Sequence, residues 1–311
     1  LHDALPILSQ SRGVSWCDFD NDGDEDLFLT NNGINHLWRN DGEDSLEPGQ
    51  WLFNEAGPGD GSGISDDSRA SVAIWGDYDN DGDNDLYLAN DEGANALFRN
   101  DPANPEVPDD PIRVFVDVTT GLLGTTRSTQ SVNWVDYDKD GDIDLYISNR
   151  TDNILMRNDG EDFMNPGYWL FSDVSVSSGL DSSANTQGSA WCDFDNDNDV
   201  DLYLVNYNSA NLLFRNDDGT FIEIGASVGV DDPGTGRSAS WGDFDNDGHF
   251  DLYVTNYGSE NKLYMNIGGV FTEIAAGVGV DDAGNSRGSS WLDYDNDGNL
   301  DLIVANSNDG S

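Results

Sequence analysis

A nine-residue acidic segment occurs six times in the sequence, and it restricts the possible folds more than any other feature. Each copy has Asp at its first, third, fifth and ninth positions, and all but one have Gly at the sixth. Four carboxylates in so short a segment repel one another unless a cation lies between them. Oxygen ligands at alternate positions around a sharp turn suit calcium. The sequence therefore predicts six calcium loops, which we call acidic loops 1 to 6 and which begin at Asp18, Asp77, Asp136, Asp193, Asp243 and Asp293.

The charge of the chain also favours cations as partners. It has 61 acidic and 13 basic side chains and a formal net charge of -48, which disfavours binding to nucleic acid and to anionic membranes. A high charge can indicate disorder, but 36% hydrophobic and 11% aromatic residues, with a Trp before each acidic loop, indicate a packed core. No apolar run reaches the roughly 18 to 20 residues of a membrane span, so we expect no membrane insertion.

The two cysteines and the chain ends are less informative. Cys17 and Cys192 each follow a Trp and precede the first Asp of an acidic loop. We expect both to be small buried strand residues rather than a disulfide, because they belong to distant copies. Residues 1–10 do not match the repeat and lack the pattern of a signal peptide. Because the last copy ends soon after its second strand, we expect the chain to be a fragment of a longer protein.

The acidic loops recur at intervals of 50 to 59 residues, a period typical of propellers, solenoids and arrays. Each unit contains a polar segment that ends in Trp, an apolar segment after the loop, a third segment with the pattern Asn-x-Leu, and a fourth that carries Phe. These are strand patterns without helical periodicity. We therefore predict an all-β fold in which each unit is a four-stranded blade of a β-propeller. The propeller would be six-bladed or a truncated seven-bladed ring, because the sixth unit lacks its third and fourth strands.

Two other calcium-binding folds fit the pattern less well. The calcium repeats of a parallel β-helix recur about every nine residues rather than every fifty or more. An EF-hand needs a bidentate Glu at the twelfth position of its loop. Here that position holds an apolar residue of the second strand, namely Leu29, Leu88, Ile147, Leu204, Val254 or Val304.

The pattern Asp-x-Asp-x-Asp-Gly-x-x-Asp between two strands, with Trp before it and Asp-Leu-Tyr-Leu after it, resembles the FG-GAP or VCBS repeat. The resemblance covers roughly residues 11–306. It implies an extracellular calcium-binding propeller, typically seven-bladed, similar to the integrin alpha head and to cartilage acidic protein-like bacterial proteins. Residues 11–311 would then form a single propeller domain with an incomplete last blade, preceded by the unmatched segment 1–10.

The resemblance also implies a role for each loop position. Side chains at the first, third, fifth and ninth positions would bind calcium, and the seventh residue would bind through its main-chain carbonyl. The implied ligands of loops 1 to 3 are Asp18, Asp20, Asp22, Asp24, Asp26, Asp77, Asp79, Asp81, Asp83, Asp85, Asp136, Asp138, Asp140, Asp142 and Asp144. Those of loops 4 to 6 are Asp193, Asp195, Asp197, Asp199, Asp201, Asp243, Asp245, Asp247, His249, Asp251, Asp293, Asp295, Asp297, Asn299 and Asp301. Asn198, at the sixth position of loop 4, still tolerates a left-handed turn.

The basic residues are periodic as well. One set ends the third strand and comprises Arg39, Arg99, Arg157 and Arg215. A second set precedes the repeated Trp and comprises Arg12, Arg69, Arg127, Arg237 and Arg287. Pairing with neighbouring carboxylates explains both sets. The alternative for the second set is an anion-binding ring on one face of the propeller, suited to uronic acids or sulfated sugars.

Added residues lengthen the connection between the third and fourth strands in the first three units, over residues 43–50, 102–111 and 161–168. They should form a raised rim on the face that carries the acidic loops, and such lengthened loops are frequent binding sites. Trp51, Tyr168 and Trp169 border this rim. They either pack against the core or stack on sugar rings.

The sequence offers little for catalysis. Its histidines lie at the unmatched terminus (His2), in a third strand (His36) and at a carbonyl-ligand position (His249). No catalytic triad, cysteine nucleophile or phosphate-binding loop interrupts the repeat. The carboxylates Glu43 and Asp44 are explained as solvated loop. We expect a monomeric, secreted or cell-surface module with structural calcium that binds a protein or polysaccharide, as in adhesion. The alternative is a propeller-type carbohydrate-active enzyme such as a polysaccharide lyase.

Overall fold

The computed structural model describes residues 11–43, 45–46, 49–56, 64, 68–104, 106 and 112–307. The unmatched segment 1–10 with His2, Asp44, and parts of the first two insertions lie outside these residues. The strands of the described residues form six antiparallel sheets. Sheet 1 consists of β1 (Ser11–Cys17), β2 (Asp26–Asn31), β3 (His36–Glu43) and β4 (Trp51–Glu55). Sheet 2 consists of β5 (Arg69–Gly76), β6 (Asp85–Glu92), β7 (Ala96–Pro102) and β8 (Arg113–Asp117). Sheet 3 consists of β9 (Thr129–Val135), β10 (Asp144–Asn149), β11 (Ile154–Glu161) and β12 (Trp169–Asp173). Sheet 4 consists of β13 (Thr186–Cys192), β14 (Asp201–Asn206), β15 (Leu212–Asp217) and β16 (Thr220–Glu223). Sheet 5 consists of β17 (Gly236–Gly242), β18 (Asp251–Asn256), β19 (Lys262–Ile267) and β20 (Val270–Glu273). Sheet 6 consists of β21 (Ser286–Leu292) and β22 (Asp301–Asn306).

In every sheet the strands neighbour one another in chain order, so each sheet is an up-and-down meander. The first five sheets have four strands and the sixth has two, which agrees with the strand pattern of each unit. Successive meanders of this kind are the blades of a β-propeller. The predicted all-β propeller fold is therefore confirmed.

The first two strands of a sheet share one register. In sheet 1, Trp16 pairs with Leu27 beside the acidic loop, and the register shifts near the far end, between Ser11 and Gly13. The same shift occurs in four other sheets. It marks a β-bulge, in which one extra residue is left out of the ladder. The residue at the bulge is Arg12, Ser71, Gln187, Arg237 or Arg287.

The second strand forms the core of each complete sheet. Every residue of β2, β10, β14 and β18 is buried. The strand is paired on both edges, and its side chains pack on both faces. Tyr203 and Val205 of β14, for example, share a cluster with Leu252 and Val254 of β18. Burying an aliphatic side chain of this size contributes about 1.5 to 3 kcal/mol.

Repeated aromatic residues join neighbouring sheets. Phe194, at the second position of acidic loop 4, stacks on Trp241 of the next sheet at 6.2 Å and contacts Phe271 at 5.6 Å. Phe19 contacts Trp75 and Phe115 in the same way. In later sheets the Trp before the loop and the Phe of the fourth strand cover the loop aromatic of the preceding sheet, whereas Trp16 of the first sheet contacts Phe53 of its own sheet.

The position of Cys17 and Cys192 is occupied by Gly in two other sheets, where a Trp of the next sheet packs closely against it. In sheet 2 this position is Gly76, where an added Cβ would lie 2.7 Å from Trp134. Both cysteines are free, with Cys17 buried and Cys192 partly buried. Burial raises the pKa of both thiols to about 12, so neither thiol ionises readily near neutral pH.

Short helical turns follow the fourth strands, which the sequence pattern does not predict. They are α1 (Ser175–Ser178), α2 (Gly225–Val228), α3 (Ala275–Val278) and a 3-10 turn over Gly121–Gly124. Each α turn ends at a glycine in the left-handed conformation, such as Gly229 with φ of 79°. One turn is too short to produce a helical period in the sequence.

The described residues divide into two compact units. The first takes those up to Asp136 together with Asp140–Ile147 and Met156–Asp173. The second takes Tyr137–Lys139, Ser148–Leu155 and the chain from Val174 onward. The single domain expected over 11–311 stays a prediction. Among the described residues there is no helix with the length and hydropathy needed to cross a membrane.

Candidate metal centres in the acidic loops

Each acidic loop joins the first strand of its sheet to the second, and hydrogen bonds within the loop give it its shape. In loop 1, the carboxylate of Asp18 accepts the backbone N–H of Asp22 at 3.1 Å and that of Gly23 at 2.9 Å. The carboxylate of Asp22 accepts the N–H of Asp24 at 2.9 Å. The first-position contacts recur in full in loops 2, 4, 5 and 6, at Asp77, Asp193, Asp243 and Asp293.

Two residues of the loop adopt left-handed backbone conformations. In loop 1 they are Asn21 at the fourth position, with φ of 59°, and Gly23 at the sixth, with φ of 95°. In loop 4 the sixth residue is Asn198, whose φ is 72°. The expectation that Asn198 tolerates the left-handed turn is confirmed. Asn is the residue other than Gly that most readily adopts this conformation.

The ninth-position Asp closes the loop from inside the sheet. Asp26 is 1% exposed; its Oδ2 accepts the N–H of Phe19 at 3.0 Å, and its Oδ1 accepts the N–H of Asn40 at 2.7 Å. Asp85, Asp201 and Asp251 accept the equivalent pairs of N–H groups. This residue therefore ties the loop to the third strand as well as to its own turn.

In loop 1 the third-position Asp is buried without a matching donor. Asp20 is 3% exposed, and neither of its carboxylate oxygens has a hydrogen-bond partner among the described residues. One oxygen of Asp79 and one of Asp195 are in the same condition. Burying an unpaired carboxylate is strongly unfavourable. A cation coordinated by these oxygens would remove the penalty, so the residues present fit the metal that the repeat implies.

The carboxylates also converge. The described residues contain six groups of side chains that could hold a metal ion; in the five that lie in loops 1 to 5, three carboxylates each offer an oxygen within 4.8 Å of the other two. The groups are Asp18, Asp20 and Asp22; Asp77, Asp79 and Asp85; Asp136, Asp138 and Asp144; Asp193, Asp195 and Asp197; and Asp243, Asp245 and Asp251. Each consists of residues that the sequence singled out as side-chain ligands.

Burial and neighbouring negative charges raise the pKa of several of these carboxyl groups. Burial raises the pKa of Asp85 to about 9 and that of Asp26 and Asp201 to about 7. Burial and the charge of the neighbouring Asp81 raise the pKa of Asp79 to about 7. The ionised form is disfavoured in each case because the loss of water outweighs the interactions that favour it, such as the charge of Arg99 near Asp79.

The seventh residues use their side chains elsewhere, which agrees with a main-chain role in the loop. The side-chain amide of Asn21, in loop 1, donates to the carboxylate of Asp83, the seventh residue of loop 2, at 2.7 Å. Asn80 donates to Asp142 at 2.7 Å, and Lys139 approaches Asp199 at 2.6 Å. Asn196 contacts His249, and Asn246 contacts Asn299. Fourth and seventh positions therefore connect successive loops. We did not predict this contact, although Asn at the fourth position of all loops but one is its signal in the sequence.

A buried arginine adds a further connection between loops 1 and 2. Arg113, in β8, is 6% exposed. Its Nη1 lies 2.6 Å from the carboxylate of Asp83, and its Nη2 donates to the carbonyl of Asp20 at 3.4 Å. Sequence reasoning missed this residue because it belongs to neither periodic set.

The two periodic sets of arginine differ in their partners. The four arginines that the sequence placed at the end of the third strand lie within it, because the strands extend beyond them, and each pairs with an Asp two positions later, as in Arg39 with Asp41. Pairing with neighbouring carboxylates is therefore confirmed for this set. In the second set, Arg12 and Arg69 approach Asp91.

In the described residues, the ends of the third strands, where the predicted rim begins, lie at the edge of the acidic loops, because β3 runs antiparallel to β2. Arg99 donates to the carbonyl of Gly167 at 2.8 Å in the third insertion. Trp51 and Tyr168 are 58% and 66% exposed, whereas Trp169 contacts the ring of Tyr78 at 6.1 Å. Tyr168 and Trp169 line a cavity of about 20 Å³, which has room for a water molecule and not for a sugar.

Comparisons with known proteins agree with this architecture. A search of curated proteins by sequence gives no significant match. The fold is similar to that of BBS1N, solved in complex with ARL6DN, with a TM-score of 0.56 at 11% identity over 96% of this chain and 77% of that one. It is also similar to an Agrocybe aegerita lectin that recognises non-reducing terminal N-acetylglucosamine, with a TM-score of 0.50 at 15% identity over 89% of this chain and 67% of that one. At such identities the likeness concerns the fold alone.

The repeat itself matches a family model. The FG-GAP-like repeat matches five overlapping segments, residues 18–87, 77–147, 136–204, 193–254 and 243–304. Each segment begins at the first Asp of one acidic loop and ends just beyond the next loop. Because these segments together cover most of the sequence, the chain belongs to the FG-GAP-like repeat family.

Proposed function

We propose that this chain is a calcium-stabilised binding module that works outside the cell, with one structural calcium ion in each acidic loop. The observation that carries the proposal is the buried third-position carboxylate. In loop 1 both oxygens of Asp20 lack a hydrogen-bond partner among the described residues. One carboxylate oxygen of Asp79 and one of Asp195, at the same loop position, also lack a hydrogen-bond partner among the described residues. In loops 5 and 6 the third-position Asp245 and Asp295 are exposed and each accepts a backbone N–H at 3.2 Å, so the proposal extends to these loops through the repeated ligand pattern.

The donor set favours calcium over other metals. The side-chain ligands proposed are all carboxylate oxygens, with no thiol and no imidazole, since His249 would act through its carbonyl. Such hard oxygen ligands suit calcium and magnesium rather than zinc or copper. Magnesium demands a compact octahedral site and usually retains several waters, whereas calcium accepts a larger and more flexible set of protein oxygens. A loop with four carboxylates and a carbonyl fits the second description.

The surroundings of the loops favour a structural role for the ion. The loop residue Phe194 packs between Trp241 and Phe271, so the conformation of loop 4 determines how that sheet meets the next. Extracellular calcium modules bind with dissociation constants of about 0.1 to 1 mM, so at about 1 mM calcium each ion would contribute about 0.4 to 1.4 kcal/mol. Six such contributions are comparable to the whole stability of a typical domain. Sites of that affinity would be filled at the calcium concentration outside the cell, where we propose that this module works.

The binding role is supported by the rim and by the fold. Trp51 and Tyr168 are large aromatic side chains exposed at the edge that carries the acidic loops. The lectin and the BBS1N complex are examples of related folds that bind a sugar and a protein, respectively. We infer that this chain likewise presents its loops to a protein or a polysaccharide.

Calcium titration and thermal unfolding test the metal proposal. Calcium should raise the melting temperature strongly over that of the chelated protein, and magnesium at the same concentration should raise it less. The variant Asp245→Asn, at the third position of loop 5, should bind one ion fewer by calorimetry. His249→Asn is the matched control: it recreates the residue found at the same position of loop 6, Asn299, and should retain the stoichiometry. An unchanged melting curve in excess EGTA would contradict the proposal.

A glycan array and a panel of extracellular proteins test the binding role, with calcium present throughout. Retention of a ligand without change to it is the expected result. The appearance of unsaturated sugar products by ultraviolet absorbance would instead identify a lyase.

A further inference from the structure

Four side chains of the second unit alternate in a stack, which we call the Tyr–Arg ladder: Tyr207, Arg237, Tyr257 and Arg287. The guanidinium of Arg237 lies 4.7 Å from the ring centre of Tyr207 and 5.1 Å from that of Tyr257. The guanidinium of Arg287 lies 4.9 Å from the ring centre of Tyr257. Flat guanidinium groups interact favourably with aromatic faces at these distances.

The backbone brings the ladder together at the edge opposite the acidic loops. Tyr207 and Tyr257 directly follow the second strands β14 and β18. Arg237 and Arg287 are the bulge residues of the first strands β17 and β21. Isolated bridges from Tyr207 to Thr235 and from Tyr257 to Asn285 place each tyrosine beside the strand that carries the next arginine.

The two arginines have no carboxylate within ion-pair distance among the described residues, in a chain with a net charge of -48. Arg237 donates from Nη1 to Gln187 at 2.8 Å, while its Nε is buried without a partner. Arg287 donates from Nε to Ser307 at 3.2 Å and is otherwise exposed. Burial and the like charge of Arg287 lower the pKa of Arg237, so an anion at this place would be stabilising.

The first unit provides an internal comparison. Its bulge residue Arg12 donates from Nη1 and Nη2 to Asp91 at 3.2 Å. Asp91 follows Asn90 in the same way that Tyr207 follows Asn206 and Tyr257 follows Asn256. Where this position is Asp, the arginine charge is neutralised inside the protein. Where it is Tyr, the ring supports the guanidinium by its face and leaves donors for an external group.

We propose that the Tyr–Arg ladder binds an anionic carbohydrate through a carboxylate or sulfate group on the sugar. Guanidinium groups recognise both oxyanions through paired N–H donors. Two such groups, held in line by the repeat of the sheets, suit a polymer with regularly spaced charges better than a single small anion. The inference rests on the proposed binding role and names the chemistry of one ligand class for it.

Calorimetry on the calcium-loaded chain tests the proposal with four probes: an oligoglucuronate, a keratan sulfate oligosaccharide that carries sulfate but no uronate, a neutral cello-oligosaccharide and a hexaglutamate peptide. The uronate and sulfate arms distinguish the two sources of oxyanion. Binding of at least one charged sugar, and tighter binding than that of the neutral sugar, is expected. Equal binding of charged and neutral sugars, or tightest binding of the peptide, would overturn it.

Three variants locate the binding. Arg287→Gln removes an exposed guanidinium and should weaken binding about tenfold or more. Tyr257→Asp replaces the ring between the two guanidinium groups by a carboxylate that can neutralise them, and it should weaken binding at least as much. Arg12→Gln, at the equivalent bulge, is the matched control and should change the affinity less than about twofold. Unchanged affinity of the first two variants would contradict the proposal.

The failure of this proposal is separable from failure of the calcium proposal. Calcium stoichiometry and melting temperature are measured on the same variants, and both should match those of the parent chain. If EGTA leaves the melting temperature of the parent chain unchanged and the chain still binds the charged sugar, only the metal role is refuted. If EGTA lowers the melting temperature of the parent chain but the chain binds no charged sugar, only the proposed binding by the Tyr–Arg ladder is refuted.

Discussion

The side-chain amide of Asn80 donates a hydrogen bond of 2.7 Å to the carboxylate of Asp142, 62 residues away in the next acidic loop. Equivalent contacts join Asn21 to Asp83 and Asn196 to His249. Each loop therefore touches its neighbour through the side chain of the residue that would bind metal by its carbonyl. A change in the fourth residue of one loop therefore alters its contact with the seventh residue of the next loop.

We expect Asn80→Gly to lower the free energy of unfolding of the calcium-loaded protein by about 0.5 to 1.5 kcal/mol more than a control, because it removes this hydrogen bond. Glycine retains the left-handed conformation of Asn80, whose φ is 56°. Asn296→Gly is the control: its φ is 59°, and it makes no such contact among the described residues. Urea unfolding measures both, and equal losses would show that the contact contributes nothing.

Arg113→Met should destabilise the protein by about 3 kcal/mol, because it leaves the carboxylate of Asp83 without its closest cation. The two side chains are 3% and 14% exposed, so little water can replace the lost contact. The double variant Arg113→Met with Asp83→Asn should recover a substantial part of the loss, since no unpaired charge remains. Strictly additive losses in chemical unfolding would argue that the pair is not coupled.

Trp241→Ala should cost about 3 kcal/mol or more, because the ring contacts Phe194, Tyr203 and Phe271. Trp16→Ala, at the same position of the first sheet, should cost less than about 1 kcal/mol. Trp16 is 55% exposed, and among the described residues its ring contacts Phe53. Thermal unfolding distinguishes them, and a larger loss at Trp16 would contradict the packing argument.

The calcium-free protein should become more stable as the pH falls from 8.5 to 6. Burial raises the pKa of Asp85 to about 9 and that of Asp201 to about 7, well above the value near 4 of an unfolded chain. Stability from protonating these groups is fully present below the unfolded pKa and is lost as the pH rises through about 7 to 9.

Calcium requires the ionised carboxylates, so its stabilising effect should grow over the same range. Calorimetric melting of dialysed protein, with and without calcium, measures both trends. A calcium-free melting temperature that falls between pH 8.5 and pH 6 would contradict the first, and a calcium effect that shrinks with rising pH would contradict the second.

Much of the fold was predictable because each unit of the repeat consists of patterns between residues that are close in the sequence. The nine-residue loop, the Trp before it and the apolar strand after it each depend on neighbours in the sequence, as in Trp16, Asp18 and Leu27. Their agreement in six copies indicated both the strand order and the side chains that converge on each candidate site. The helical turns such as Gly225–Val228 escaped prediction because a single turn has no period.

The sequence by itself therefore determined the blades, their acidic loops and the carboxylates that could hold metal. Only the tertiary structure decided which distant side chains meet: Asn80 with Asp142, Arg113 with Asp83, and Arg237 with two tyrosines. These pairs are 20 to 62 residues apart, and they depend on how one sheet packs against the next. That packing places Asp91 beside Arg12 in one unit and Tyr257 beside Arg237 in the other, a difference in charge that no local pattern reveals.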